Sequence, residues 1–389
     1  MPPPPLDLLL YSHDGRGLGH ASRTIAIGMA LRRLYPELKV LFVSGTPQAG
    51  ELIADTPLDW IKLPAYETGI IDGISKGVPG KSNFSDTDLG VLRGTMLRQI
   101  VDNFRPKVIL ADHSPLGKHK ELLPALENLS HNPRVVLGVR GVVGDVRQVV
   151  SQRAIAAFSH YYSDLLWYGD SKVLGSSHSK ALHDTFSMVP FETGYVSRMN
   201  ELQQYRLPKP HGKRYAGTIA IPWLGEHSIE YLKKLALALT RLNVHPATWN
   251  IFLPKGGNCC GSSKSYILFP DNCVIRSFGP EYHHCLRASY IAVIYGGYNS
   301  ITDVLVSGTP ALVVLRNMQD QEQQLHLEHL TRYTNGRIAA VEERSATPES
   351  LCDLLKLQLS HAANTGSDQQ YRVNLDGAAH AARYLAALL

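Results

Sequence analysis

The run from Ile291 to Leu315, IAVIYGGYNSITDVLVSGTPALVVL, decides the fold. Residues 291–295 are apolar without alternation, the pattern of a parallel strand covered on both faces. Gly296-Gly297 ends that strand, and a helix is predicted to begin near Asn299 or Ser300. Gly308-Thr309-Pro310 stops the helix and starts the next strand, Ala311 to Leu315.

The same alternation extends outward in both directions. Strands are predicted at Ala216 to Ile221, Asn250 to Leu253 and Cys273 to Arg276, with an amphipathic helix from Ile229 to Leu242. The N-terminal half reads as a strand (Leu6 to Tyr11), a glycine-rich loop (Gly15 to Gly19) and a helix from about Ala21. Strands follow at Val40 to Ser44, Lys107 to Ala111 and Arg134 to Val139, with helices at Met96 to Phe104 and Glu121 to Glu127. This pattern closes near Thr193 to Val196. The polar stretch Asn200 to Arg214, with Pro208, Pro210 and Gly212, reads as a linker. The expectation is an α/β protein of two facing Rossmann-like domains, 1–199 and 215–389, with a cleft between them. A final helix from about Tyr371 to Leu389 could pack on either domain.

Bulk properties agree with a globular enzyme. The 389 residues exceed what one core usually holds, and 44% hydrophobic with 19% charged residues excludes a disordered chain. The net charge of +5 is spread along the sequence without a Lys/Arg block, which argues against a nucleic-acid partner. The cysteines, at 259, 260, 273, 285 and 352, are odd in number and lack zinc or redox spacing, as expected of a reducing cytoplasm. Neither a signal-peptide pattern at Met1 to Leu10 nor an apolar run of bilayer length is present, so membrane contact is expected to be peripheral at most.

Two segments carry chemistry. The first is His13-Asp14-Gly15-Arg16-Gly17-Leu18-Gly19-His20. Gly17 and Gly19 let the backbone approach a ligand at a helix start, although the spacing is not the dinucleotide fingerprint. His20 at the helix entrance suits a general base for an acceptor hydroxyl; its alternative role is to cap the helix or order the loop. Asp112 and His113 at a strand end could bind acceptor hydroxyls or act as an alternative base, His13-Asp14 is a similar candidate, and Arg140 after the fourth strand could bind an acceptor carboxylate or phosphate. All could equally satisfy loop backbone.

The second segment is Ser277-Phe278-Gly279 followed by Tyr295 to Asp303. A helix N-terminus behind Gly296-Gly297, with Asn299 and Ser300 in its first turn, favours a diphosphate. Asp303, one turn further, can accept from ribose hydroxyls or merely complement the helix dipole. Asp320, Glu322 and Gln323 follow the next strand, where directional bonds to sugar hydroxyls are expected.

The run Gly296 to Leu330 resembles the donor-binding region of the glycosyltransferase superfamily that contains the lipid-II-forming N-acetylglucosaminyltransferase. It resembles more closely a branch of bacterial predicted glycosyltransferases carrying "GGYN", "GTPALVVPR" and "QEQ" at this spacing. Gly17 to His20 and Asp112-His113-Ser114-Pro115-Leu116-Gly117-Lys118 resemble that branch as well. The resemblance implies the two-domain GT-B fold, with the acceptor N-terminal and a nucleotide-sugar donor, a UDP-sugar above all, C-terminal. It implies His20 as base of an inverting, metal-free displacement. It also implies that Phe278-Gly279 leads to the nucleotide base, that Asp303 (a Glu in relatives) holds the ribose, and that Asp320, Glu322 and Gln323 meet the sugar. No cofactor is expected, and the acceptor is unspecified. One departure stands out: the first loop of the C-terminal half, glycine-rich in relatives, here reads Ile221-Pro222-Trp223-Leu224-Gly225. That loop could narrow the donor pocket, alter donor choice or mark lost activity. A nucleotide-sugar 2-epimerase and a non-catalytic nucleotide-sugar-binding protein are the competing readings.

Overall fold

The computed structural model of the chain describes residues 4–13, 18–71, 74–78, 83–142, 147–205, 215–242, 247–254, 267–316, 322–364 and 372–389. The chain divides into two compact units, Met1–Tyr205 with Asn374–Leu389 and Arg206–Val373. Each is an α/β sandwich around a parallel sheet.

Unit 1 contributes β1 (Leu8–Ser12), β2 (Val40–Ser44), β3 (Asp59–Lys62), β6 (Val108–Asp112), β7 (Arg134–Arg140), β8 (Asp164–Tyr168) and β9 (Phe191–Glu192), in the order β3-β2-β1-β6-β7-β8-β9. A separate antiparallel hairpin, β4 (Glu67–Ile71) and β5 (Ile74–Val78), follows β3 in a Gly/Ser-rich segment. The strands β1, β6 and β8 are buried along their whole length, which explains their unbroken apolar runs. Helix α1 (Gly19–Leu34) covers β1 and β2 and buries Ile25, Ile27, Met29 and Leu31. Helix α2 (Asp86–Phe104) is capped by Ser85, whose side chain accepts from the Asp88 N–H. It carries Arg93 into the interior, where a guanidinium nitrogen donates to Glu121 at 2.8 Å and both side chains are fully buried. Glu121 also accepts from the hydroxyls of Tyr11 and Tyr66.

The predicted linker is a helix over its first residues. Helix α3 (Arg198–Gln204) buries Met199 and Leu202 against α1, and its Glu201 takes a forked bond from Arg33. Polar composition concealed it, because its buried acid is satisfied by a distant arginine. Residues 206–214 lie outside the described set. The helix predicted at Glu121 to Glu127 shrinks to Leu123–Leu126, since the preceding Lys118–Lys120 forms a tight 3₁₀ turn.

Unit 2 contains β10 (Tyr215–Ala220), β11 (Trp249–Leu253), β12 (Cys273–Ser277), β13 (Ser289–Tyr295), β14 (Ala311–Leu315) and β15 (Ile338–Glu342), ordered β12-β11-β10-β13-β14-β15. Its helices are α4 (Glu226–Leu242), α5 (Glu281–Arg287), α6 (Tyr298–Ser307), α7 (Glu322–Thr331) and α8 (Pro348–Asn364). The core is built from Leu232, Leu235, Ile251, Val293, Leu312 and Leu355. Gly308 closes α6 at φ +64, a conformation that an L side chain adopts only with strain.

Helix α9 (Gly377–Ala386) belongs to unit 1, resolving the alternative left by its sequence. It packs on α1, and the segment leading into it is stitched down by Tyr195 N–H to Asn374 O at 2.8 Å and by Asn374 N–H to Asp170 Oδ2 at 2.9 Å.

Candidate functional site

In unit 1 the strand order reverses between β1 and β6, and the paired residues Ser12 and Asp112 close the two strands there. Open α/β sheets receive ligands at such a point, beyond the carboxyl ends of the strands. His20, the second residue of α1, lies across this point with Nδ1 2.6 Å from Asp112 Oδ1. Arg23, one turn later on the same helix face, donates through Nε to Oδ2 at 3.2 Å and through Nη2 to Oδ1 at 2.9 Å.

These contacts fix the protonation pattern. Burial pushes the Asp112 carboxyl up, but the Arg23 charge and the His20 bond outweigh it and hold the group below the usual carboxylate range. Arg23 Nη2 also lies 3.0 Å from His20 Nδ1, but the ionised carboxylate, which can only accept, is nearer at 2.6 Å, so the imidazole proton is assigned to Nδ1, leaving the Nε2 lone pair to take a proton. Burial lowers the His20 pKa below 6.5, with Asp112 opposing in part. His20 is therefore a neutral, oriented imidazole at neutral pH, with a fifth of its side chain exposed.

Two further imidazoles flank it, His13 at 4.2 Å and His113 at 5.4 Å between ring centroids. Both are buried, and burial above all drives their pKa values well below 6.5; Arg140 adds to this at His113. Neither ring nitrogen of His113 has a hydrogen-bond partner among the described residues. Its φ of +78 is rare for a side chain of this size, and its N–H is held by Gly138 O at 2.9 Å. The structure thus brings His13, Gly19, His20, Asp112, His113 and Arg140 to one edge. Gly17 and Asp14 lie outside the described residues. Arg23 is the member that sequence reading missed, although its position three residues after His20 places it on the same face.

In unit 2 the order reverses between β10 and β13. Gly297 is the N-cap of α6 with φ −71 and ψ 146, so the helix and its positive end begin directly beyond β13. Among the described residues, a Cβ on Gly297 would meet nothing within 4 Å, and neither would one on Gly279. Gly296 differs, because a Cβ there would stand 3.2 Å from Leu315 and 3.3 Å from Gln323, so the packing of α7 itself requires that glycine. Phe278 is half-buried, with Phe252 and Tyr282 around its ring at 5.9 and 5.5 Å.

Asp303 sits beyond the first turn of α6, where it does not serve as a first-turn acid, and its Oδ2 is 3.4 Å from His283 Nε2 on α5. His283 thus supplies a partner for the expected ribose ligand. Glu322 opens α7, and the Gln323 side-chain Oε1 accepts from the Arg316 backbone N–H at 3.4 Å. Asp320 lies outside the described residues.

The aberrant first loop is the feature whose partners sequence did not give. Trp223 stacks under the Arg316 guanidinium at 3.8 Å from its ring centroid, and the Tyr295 ring lies 4.5 Å from the same group. Glu343 accepts from the Tyr295 hydroxyl and approaches Arg316 at 3.7 Å. Among the described residues, no group of three or more His, Cys, Asp or Glu side chains is placed to hold a metal, and no helix is long and apolar enough to cross a membrane.

No family model and no curated protein matches the chain. Solved structures do. MurG of Acinetobacter baumannii aligns over 98% of this chain and 99% of its own at 14% identity and TM-score 0.53. The glycosyltransferase SnogD of Streptomyces nogalater aligns over 99% and 100% at 17% identity and TM-score 0.56. The UDP-GlcNAc 2-epimerase of Methanocaldococcus jannaschii aligns over 98% and 99% at 10% identity and TM-score 0.59. The chain has the two-domain GT-B fold, the architecture of these glycosyltransferases. Because an epimerase shares it, the likeness establishes the fold and leaves the reaction to the site.

Proposed function

We propose that the chain is a glycosyltransferase that moves a sugar from a nucleotide-sugar, a UDP-sugar above all, to an acceptor hydroxyl, with inversion and without a metal. The observation that carries this reading is the neutral His20 imidazole oriented by the Asp112–Arg23 pair at the strand-order reversal of unit 1. His20 Nε2 takes the acceptor's hydroxyl proton while the acceptor oxygen forms its bond to the sugar C1. The C1–oxygen bond to the diphosphate breaks, and its electron pair leaves with the nucleoside diphosphate. The N-terminus of α6 stabilises that departing charge. Gly297 supports this assignment: backbone angles and space both admit a side chain there, so close approach of a ligand is what a glycine serves.

In this reading Phe278 and Gly279 lead to the base, Asp303 with His283 meets the ribose, and Glu322 and Gln323 meet the sugar. His113 and Arg140 bind the acceptor. The test is incubation with a panel of nucleotide sugars and simple acceptors in excess chelator, scored for transfer, epimerisation and hydrolysis. Transfer that survives chelation supports the reading. Epimerisation without transfer, or turnover that returns only with magnesium or manganese, defeats it.

A further inference from the structure

His113 carries two costs at one residue. It is 2% exposed, yet neither ring nitrogen has a hydrogen-bond partner among the described residues. Its backbone stands at φ +78, where a residue of this size is rarely found. A leucine or phenylalanine would fill the same space without leaving polar atoms dry. We propose that His113 is a specificity-determining residue of the acceptor site, binding a second hydroxyl beside the reacting one, so that the acceptor is a vicinal diol of the kind that sugars and polyols carry. This deepens the proposed function and rests on it.

The geometry says what the backbone cost achieves. Along a strand, consecutive side chains point to opposite faces. Asp112 and His113 nevertheless meet the same imidazole: Asp112 Oδ1 lies 2.6 Å from His20 Nδ1, and the His113 and His20 ring centroids are 5.4 Å apart. The left-handed turn directly after β6 permits this, and it is held by the His113 N–H donating to Gly138 O of β7 at 2.9 Å. Packing against His20 needs only a ring. Two unpaired nitrogens need a partner as well.

The chemistry of that partner follows from the surrounding charges. Burial above all, then the charge of Arg140, keeps the His113 imidazole well below 6.5, and His20, Arg23 and His13 act in the same direction. A neutral ring offers one N–H and one lone pair. A hydroxyl can accept from the first and donate to the second. An ammonium would face Arg140 and Arg23, and a carboxylate could use the N–H alone. The two rings are inclined by 36° rather than stacked, so each can bond its own oxygen, and their closeness suits oxygens on neighbouring carbons. His20 takes the proton of one hydroxyl while His113 holds the other.

The experiment is a histidine-ring ¹⁵N NMR titration of the full chain, alone and with excess UDP. The probes are cyclohexanol, cyclohexane-1,2-diol, 2-aminocyclohexanol and methyl glucopyranoside. In the wild type the diol and the glycoside should move the His113 nitrogens and bind ~10- to 100-fold tighter than cyclohexanol, whereas the protonated amine should gain nothing over cyclohexanol. His113→Gly keeps the positive φ without strain, and His113→Phe keeps a packing ring without nitrogens; in either, the diol preference should shrink to within about twofold. Each stands in for the other should one fail to fold. His113→Asn, which tolerates the backbone and retains a donor and an acceptor, should keep a preference of ~3-fold or more. A full preference in the phenylalanine or glycine variant overturns the inference. Equal wild-type affinity for cyclohexanol and the diol overturns it too, as do ring nitrogens that no probe moves, which an ordered water alone would satisfy. All three leave the transferase reading to the nucleotide-sugar panel. Diol-specific shifts at His113 without transfer from any nucleotide sugar would instead keep the diol site and sink the transferase.

Discussion

The two sheets reverse their strand order at equivalent places, yet the chain has built opposite environments there. In unit 1, Asp112 and His113 are buried, imidazoles crowd one another, and pKa values shift downward. In unit 2 the corresponding edge offers glycine positions with room for a side chain among the described residues, a helix start and a cation stacked on aromatic rings. Proton transfer needs a group whose basicity is set by a dry, fixed surround, whereas a highly charged ligand needs room for its oxygens and donors directed at them. In the proposed reading one topology serves both, because function resides in the residues just beyond the strands.

The contrast is broken most directly at His20. His20→Ala should lower kcat by ~10²- to 10⁴-fold while donor KM changes little, because the donor residues are assigned to unit 2. With its pKa below 6.5, the wild-type base should lose activity only in acid, so the falling limb of the kcat profile should lie below pH 6.5. A matching loss of donor binding would erase the division of labour.

Next in size is the fully buried Arg93–Glu121 pair of unit 1. Arg93→Met leaves a buried carboxylate without its cation and should cost unit 1 about 3–5 kcal/mol in urea unfolding, while nucleotide binding at unit 2 persists. A loss of under ~1 kcal/mol would show that the pair is dispensable.

Gly297→Val sharpens the unit 2 side. Open space and ordinary backbone angles predict an unchanged melting temperature, and crowding of the phosphate predicts a loss of about 10-fold or more in UDP affinity. Unchanged affinity in the folded variant would remove the α6 N-terminus as the phosphate site.

The smallest effect is the pH dependence of stability. His13 and His113 have folded pKa values well below their unfolded 6.5. As pH falls through 6.5 the unfolded chain gains protons that the folded chain refuses, so stability is complete above 6.5 and declines below it. Each such imidazole contributes a slope of at most about 1.4 kcal/mol per pH unit. Unfolding at pH 7, 6 and 5 should show the decline, and His113→Asn, which tolerates a positive φ, should flatten it. An unaltered slope would mean that His113 takes up its proton in the folded state.

What sequence revealed follows from the range of the forces involved. The strands Val40–Ser44 and Ala311–Leu315 were legible end to end because both are apolar runs with clear stops. The edge strand Asp59–Lys62 escaped notice, having polar ends and little burial, as did α3, whose buried Glu201 reads as surface. His20 announced itself through its glycine loop. Its pairing with Asp112, 92 residues away, depends on β1 lying beside β6, which spacing along the chain does not encode. Trp223 was visible as a departure, but Arg316 as its partner required the order of β10, β13 and β14.

The return of residues 374–389 to unit 1 makes unit 2 a nested insertion, synthesised between two portions of its host. During vectorial synthesis α1 emerges early, yet the helix that covers it arrives only after all of unit 2 has been made. The insert can therefore fold to completion first, while the older unit waits with one apolar flank uncovered. Removing 374–389 should accordingly injure the part of the protein made first and spare the part made just before the cut.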